Sequence, residues 1–119
     1  MKTKEQKALA IAEAEGWEYL FTKDYETCDY TFPMKYYGNE ELLESATSEQ
    51  YLLDYYASYN GLMPIVERLN RNQGQITIGA IYIFVLDGVK TFHYNERVSL
   101  LDALLDAVYY IMVESKQNE

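Results

Sequence analysis

The sequence is poor in cysteine, histidine, proline and glycine, and these shortages exclude several classes of protein. Because Cys28 is the only cysteine and His93 the only histidine, neither an internal disulfide nor a zinc site of four cysteine or histidine ligands can form. The longest apolar stretch, residues 79–86, is far shorter than the roughly 20 residues that cross a bilayer. No glycine-rich phosphate-binding fingerprint occurs. We therefore predict no metal, no cofactor and no membrane contact, and we expect a cytoplasmic location.

Basic residues are also scarce. Lysine and arginine total 10 against 19 aspartate and glutamate residues, which gives a net charge of -9. A surface of that charge repels phosphate, so we expect no direct contact with nucleic acid. The 119 residues, of which 49% are hydrophobic and 24% charged, suit a single domain, residues 1–119, with one core.

The residue in excess is tyrosine, with 13 copies. Residues 17–60 contain nine of these tyrosines and the single tryptophan. The same segment has nine acidic and two basic residues, a net charge of -7, and so holds most of the acidic excess. Acid and tyrosine are therefore concentrated in one part of the chain.

Hydrophobic periodicity predicts three helices, near residues 3–15, 60–71 and 99–114. Thr3 and Ser99 stand where N-cap residues are favoured, and Gly16 stands where a left-handed residue ends a helix. Pro64 has no N–H and belongs in a first turn, so the middle helix should begin near residue 60.

The clearest strand is residues 75–86, which is apolar on both faces and therefore should be covered on both. Asp87 and Gly88 form a two-residue hairpin signal, with a returning strand at 89–94, and residues 17–21 suit a short third strand. We predict an α+β fold: a small antiparallel sheet of about three strands, including hairpin 75–94, sandwiched by the three helices.

Residues 22–50 show less regular patterning. Asn39 followed by Glu40 and Glu41 could begin a short helix, because asparagine caps well and acids suit the first turn. Residues 51–60 fit a helix or an extended loop equally well.

Three short stretches carry a family resemblance: AEAEGW at 12–17, YYAS at 55–58 ahead of IVERL at 65–69, and SLLDALLDA at 99–107. With them the chain resembles small phage and prophage proteins of the α-β-α sandwich type. That family usually has a polar or acidic residue where Ser58 stands and no proline where Pro64 stands. The resemblance implies a mobile-element origin and the cytoplasm of a bacterial host, and it brings no settled activity.

Tyrosine combines a large apolar area with a hydroxyl group, which suits protein interfaces. We therefore predict a non-enzymatic phage or prophage accessory protein that binds a host or phage protein with a basic surface, through residues 22–59. An inhibitor of host defence or of a nucleic-acid-handling protein is one version of this role. The expected contact residues are acids and tyrosines: Tyr36, Tyr37, Glu40, Glu41, Glu44, Tyr55 and Tyr56.

Two alternatives stay open. A small enzyme or ligand-binding domain could use a cleft near Cys28 and His93, although no catalytic residue is assigned. A homo-oligomer could instead form at an open sheet edge. We interpret the two acidic clusters, Asp24 with Glu26 and Asp29, and Glu40 with Glu41 and Glu44, as solvated surface. The alternating acidic residues and central glycine of a calcium-binding loop are missing from both.

Overall fold

The computed structural model describes residues 2–40, 44–73, 75–86 and 90–115. Within them, the helices are α1 (Lys4–Ala14), α2 (Glu49–Tyr56), α3 (Tyr59–Gln73) and α4 (Leu100–Tyr109), which continues as a π-helical turn over Tyr110–Glu114. The strands are β1 (Glu18–Glu26), β2 (Thr31–Asn39), β3 (Glu44–Ser48), β4 (Ile76–Ile78), β5 (Tyr82–Val85) and β6 (Lys90–His93). The α+β class is confirmed.

The strands form two antiparallel sheets in place of the one that was expected. Sheet 1 has the order β1-β2-β3, and sheet 2 has the order β4-β5-β6. Sheet 2 contains the expected hairpin. Sheet 1 is built from residues 18–48, most of which lie in the segment whose sequence patterning is less regular.

The ends of the first and last helices follow the sequence signals. The Thr3 hydroxyl accepts the Gln6 N–H at 3.2 Å, and the Gln6 side chain accepts the Thr3 N–H at 2.8 Å, which completes a capping box. Gly16 has a φ of 103° just past the end of α1, as a left-handed C-terminal residue requires. Ser99 accepts the Asp102 N–H at 3.1 Å at the start of α4.

The middle helix begins slightly earlier than expected. The Leu62 N–H donates to the Ser58 carbonyl at 3.0 Å, so Pro64 lies in the second turn of α3 and not in the first. The helix therefore lacks the hydrogen bond that residue 64 would donate to residue 60. Gly61 allows α3 to approach α2 closely, since a Cβ there would lie 2.2 Å from the Tyr55 carbonyl oxygen.

The structure bears on two local predictions in the acidic segment. Asn39 ends β2, pairs with Glu44, and donates from its side-chain amide to the Glu15 carbonyl at 3.0 Å. Glu40, directly after it, is 3₁₀-helical, and the rest of the short helix expected there lies outside the described residues. The ambiguous residues after position 50 belong largely to α2, whose first turn is capped where the Ser48 hydroxyl accepts the Tyr51 N–H at 3.2 Å. The residues that follow Asn39 are thus bounded by two paired strands.

The expected single strand over 75–86 is wrong, because the chain turns back at Gly79 and forms β4 and β5. The Gly79 N–H donates to the Tyr82 carbonyl at 2.8 Å, and the Tyr94 hydroxyl donates to the Gly79 carbonyl. The outer face is also uncovered, since Tyr82 on β5 is 40% exposed and Leu86, just after the strand, is 55% exposed. The β5–β6 pairing is confirmed, while residues 87–89 lie outside the described residues.

The core lies among the four helices and the inner face of β5. Its largest fully buried side chains are Ile11, Leu52, Leu62, Ile83, Val85, Leu104, Leu105 and Val108. Sheet 1 contributes little to this cluster, and the molecule is correspondingly long. Its extents are 48 × 34 × 26 Å, and its radius of gyration is 16.1 Å. A compact chain of this length would have a radius of about 13.5 Å.

Candidate functional site

The most unusual feature of sheet 1 is a two-stranded projection, residues 22–35, which we call the arm. β3 pairs with β2 only between Tyr36 and Asn39, so the remaining part of β2 is paired with β1 alone. Every residue of β1 is exposed except Tyr25, which is half-buried. The arm therefore extends from the core with solvent on both faces.

The tip of the arm is held by one threonine. The Thr27 N–H donates to the Tyr30 carbonyl at 2.9 Å, and its hydroxyl donates to the same carbonyl at 3.0 Å. The Thr27 hydroxyl also accepts the Tyr30 N–H at 3.2 Å. These bonds close the turn around Cys28, which is exposed at the tip. The arm is thus an ordered hairpin and not an irregular loop.

One face of the arm and its base carries paired aromatic rings, and we call it the aromatic face. Phe21 stacks on Tyr36 with ring centroids 5.0 Å apart, and Tyr25 stacks on Phe32 at 6.2 Å. The hydroxyls of Tyr25 and Tyr36 are 2.5 Å apart, and their hydrogen bond raises the pKa of Tyr36. Such cross-strand pairs stabilise an antiparallel ladder, so the arm supplies its own local packing.

The opposite face of the arm is polar. Because side chains alternate along a strand, this face carries Thr22, Asp24, Glu26, Thr31, Pro33 and Lys35, all of them exposed. Two carboxylates therefore face solvent on β1, with a single lysine on the neighbouring strand.

Two of the expected contact residues are core residues, which corrects their assignment as surface anchors. Tyr37 is only 5% exposed and donates to the Glu49 carboxylate at 3.0 Å; burial, reinforced by this bond, raises its pKa to about 12. Tyr56 is 6% exposed and accepts the Trp17 indole N–H at 3.0 Å, and burial raises its pKa. Neither ring offers a surface to a partner, because each packs against the helices.

The remaining expected residues are placed differently from one another. Tyr36 lies half-buried at the base of the arm, and Glu40 is exposed just after β2. Tyr55 lies half-buried on α2, where it stacks on Tyr51 at 6.0 Å. Glu41 and the Glu44 side chain lie outside the described residues.

The sequence interpretation missed Phe21, Tyr25 and Phe32 as members of this surface. A signal was present, because residues 31–36 alternate polar and apolar side chains with the period of a strand.

An aromatic pocket of about 470 Å³ lies beside α2. Its lining consists of Trp17, Thr47, Ser48, Tyr51, Leu52, Tyr55 and Tyr56. No charged side chain stands in this described lining, so the pocket suits an uncharged apolar or aromatic group.

Cys28 and His93, the two residues of the alternative cleft, belong to hairpins of different sheets of the structure. Cys28 lies at the tip of the arm, whereas His93 lies on β6 of the other sheet, with its ring 6.3 Å from that of Tyr82. In the part of the chain that the structure describes, no hydrogen bond joins the two side chains and no group of histidine, cysteine or acidic residues is arranged to hold a metal. The described helices include none with the length and apolarity needed to span a membrane.

Compared with known proteins, the chain matches no protein-family model, no curated protein and no solved structure.

Proposed function

We propose that the protein is a non-enzymatic binding protein that holds a partner with a basic surface against the arm. The observation that carries this proposal is the exposure of β1. Tyr19, Leu20 and Phe21 are 45–55% exposed, and Tyr30 at the tip is 64% exposed. Clustered apolar side chains outside a core mark interaction surfaces, since burying them against a partner is favourable.

The charge of the arm supports a basic partner. Asp24, Glu26 and Asp29 outnumber the two lysines, and all three carboxylates are exposed. The ion pairs between described residues lie elsewhere, on α1, α3 and α4. The arm carboxylates are therefore available to a partner's lysines or arginines, which would speed association and select the partner.

The biological setting of the proposal follows the resemblance to small phage and prophage proteins. A phage or prophage accessory protein of this kind would bind a host or phage protein, and a basic nucleic-acid-handling protein is the class that suits the charge. Inhibition of host defence is one form of this role.

Charge reversal tests the proposal. A partner is first captured from bacterial host extract with the wild-type chain, then purified and titrated against the variant Asp24→Lys/Glu26→Lys. We expect affinity to fall about tenfold or more, since close interfacial charge pairs are worth 1.5 kcal/mol and upward. Glu67→Lys/Glu96→Lys makes the same change in net charge at exposed positions outside the arm and should have little effect. Failure to capture a partner, or equal losses in both variants, would refute the proposal.

A second candidate function is the binding of an uncharged aromatic ligand. It is favoured by the size of the aromatic pocket, about 470 Å³, which lies in the range of ligand sites. Trp17, the only tryptophan, lines this pocket, so its fluorescence reports whether a ligand occupies the pocket. Titration with p-nitrotoluene, an uncharged quencher, should give saturable loss of Trp17 fluorescence. Linear quenching with no saturation would remove this function.

A further inference from the structure

We infer that the outer edge of β1 binds its partner by strand addition, and that the added segment alternates basic and apolar residues. This inference rests on the proposed protein-binding function and specifies the chemistry of the partner. Its starting point is the strand order, which places β1 at the edge of sheet 1 with β2 as its neighbour.

The alternation of hydrogen-bonded and non-bonded pairs between β1 and β2 shows which backbone groups of β1 point to its outer edge. The Thr27 N–H bonds the Tyr30 carbonyl, so this pair is a hydrogen-bonded one. Antiparallel ladders alternate hydrogen-bonded and non-bonded pairs, which makes the Asp24–Pro33 pair non-bonded. Pro33 fits this position, because it has no N–H to donate. The groups directed toward the open edge are the N–H and C=O of Thr22, Asp24 and Glu26.

The two edges of the arm differ in how well they can accept another strand. On the β2 side, Pro33 interrupts the row of donors and blunts the edge. On the β1 side, no proline occurs, and the register with β2 is regular from Phe21 to Glu26, since the irregularity lies between Tyr19 and Phe21. The β1 edge is therefore the one that can be extended.

The side chains of β1 specify the residues of the added strand. On the polar face, Asp24 and Glu26 would stand beside every second residue of the segment, where lysine or arginine is favoured. On the aromatic face, Phe21 and Tyr25 would stand beside the intervening residues, where apolar side chains extend the ring pairs. Lys23 lies on this same face and disfavours a basic residue there.

A second copy of this chain is a poorer occupant of the edge. Each copy has a net charge of -9, and edge-to-edge pairing would bring Asp24 and Glu26 of both copies onto one small sheet. Like charges on adjacent strands are destabilising, whereas a basic segment relieves the charge.

Synthetic peptides test the inference with the full chain. The probe is the labelled peptide Lys-Val-Lys-Phe-Lys-Val-Lys, and the comparison is a peptide of the same composition with its lysines in one block. Fluorescence anisotropy should show that the alternating peptide binds about tenfold or more tightly. Equal affinities would overturn the inference, since simple charge attraction would explain both.

Backbone methylation of the probe separates strand addition from side-chain contact without altering the protein. For an antiparallel added strand, the lysines lie opposite Thr22, Asp24 and Glu26, and their N–H groups bond the edge. N-methylation of the lysines should abolish binding, whereas N-methylation of the apolar residues should leave it within about threefold. Equal affinities of the two methylated peptides would overturn strand addition.

The outcomes of these tests also distinguish the inference from the function on which it rests. If the captured partner still depends on Asp24 and Glu26 while the peptides show no alternation preference, the inference fails and the proposed function stands. If light scattering shows a concentration-dependent dimer and the alternating peptide fails to bind that dimer, a second copy occupies the edge and the inference fails.

Discussion

Tyr37 allows a sharp test of the structure, because it was expected to be an interface residue and lies in the core. The perturbation is Tyr37→Phe, which keeps the ring and removes the hydroxyl that donates to Glu49 at 3.0 Å. A hydrogen bond to a charged group contributes about 1.5–3 kcal/mol, and Glu49 is half-buried and can regain water. We therefore expect the variant to lose about 1.5 kcal/mol of unfolding free energy at neutral pH.

The same bond predicts a dependence on alkaline pH. Folding raises the pKa of Tyr37 from its ordinary value of 10.0 to about 12, first through burial and then through the bond to Glu49. A raised pKa means that the neutral hydroxyl stabilises the fold fully below pH 10. As pH rises from 10 toward 12, the unfolded chain loses this proton first, so the contribution declines. The difference between wild type and Tyr37→Phe should shrink in that window.

The assay is urea unfolding followed by circular dichroism, from pH 7 to pH 11.5. Tyr51→Phe is the matched control, because Tyr51 is 57% exposed and its change should stay within about 0.5 kcal/mol. Partner binding by Tyr37→Phe should equal that of wild type at pH 7. A variant as stable as wild type at pH 7, or a difference that grows with pH, would refute the stabilising hydrogen bond from Tyr37 to Glu49.

Three further predictions concern the helices and sheet 2, away from the arm. Gly61→Ala should cost about 3 kcal/mol or more in urea unfolding, because its Cβ would meet a backbone carbonyl oxygen of α2 at 2.2 Å; a cost below 1 kcal/mol would contradict the close approach of α2 and α3. Asn70→Ala should cost about 2 kcal/mol and speed amide exchange at Ile76, since the Asn70 side chain bonds both backbone groups of that residue at 2.8 and 3.0 Å; unchanged exchange would count against it. Lys4, 2.8 Å from Asp102, lowers the pKa of that carboxyl, so the ion pair stabilises the fold above pH 3.8 and its effect fades at lower pH. Lys4→Met should cost under about 1 kcal/mol at pH 7 and progressively less as the pH falls below 3.8, and a cost that does not decline there would exclude this origin.

Much of the fold could be predicted from the sequence, because its signals are local. Thr3, Gly16 and Ser99 mark helix ends through hydrogen bonds to residues a few positions away, and the structure places all three as expected. The β5–β6 pairing was also predictable, since a short turn signal separates two strand-like segments. These features depend on neighbours in the chain and therefore appear in the sequence pattern.

The candidate site was predicted only in outline. Composition placed acid and tyrosine together in residues 17–60, and the structure builds the arm from that segment. Its strands were missed because their exposed positions are polar and charged, and strand signals are weakest where neither face is covered. Similarly, the apolar pattern of residues 75–86 predicted extended backbone. That pattern continues without a break past Gly79, so it did not mark the turn there.

The sequence by itself determined the α+β class, both ends of the first helix, the start of the last helix, and the concentration of acid and tyrosine in one segment. Only the tertiary structure decided which tyrosines lie at the surface and which lie in the core. Tyr36 and Tyr37 are adjacent and chemically identical, yet one lies at the base of the aromatic face and the other is buried against α2. The physical reason is that neighbouring residues of a strand point to opposite faces, and the face that is covered depends on strand pairing and helix packing between distant parts of the chain.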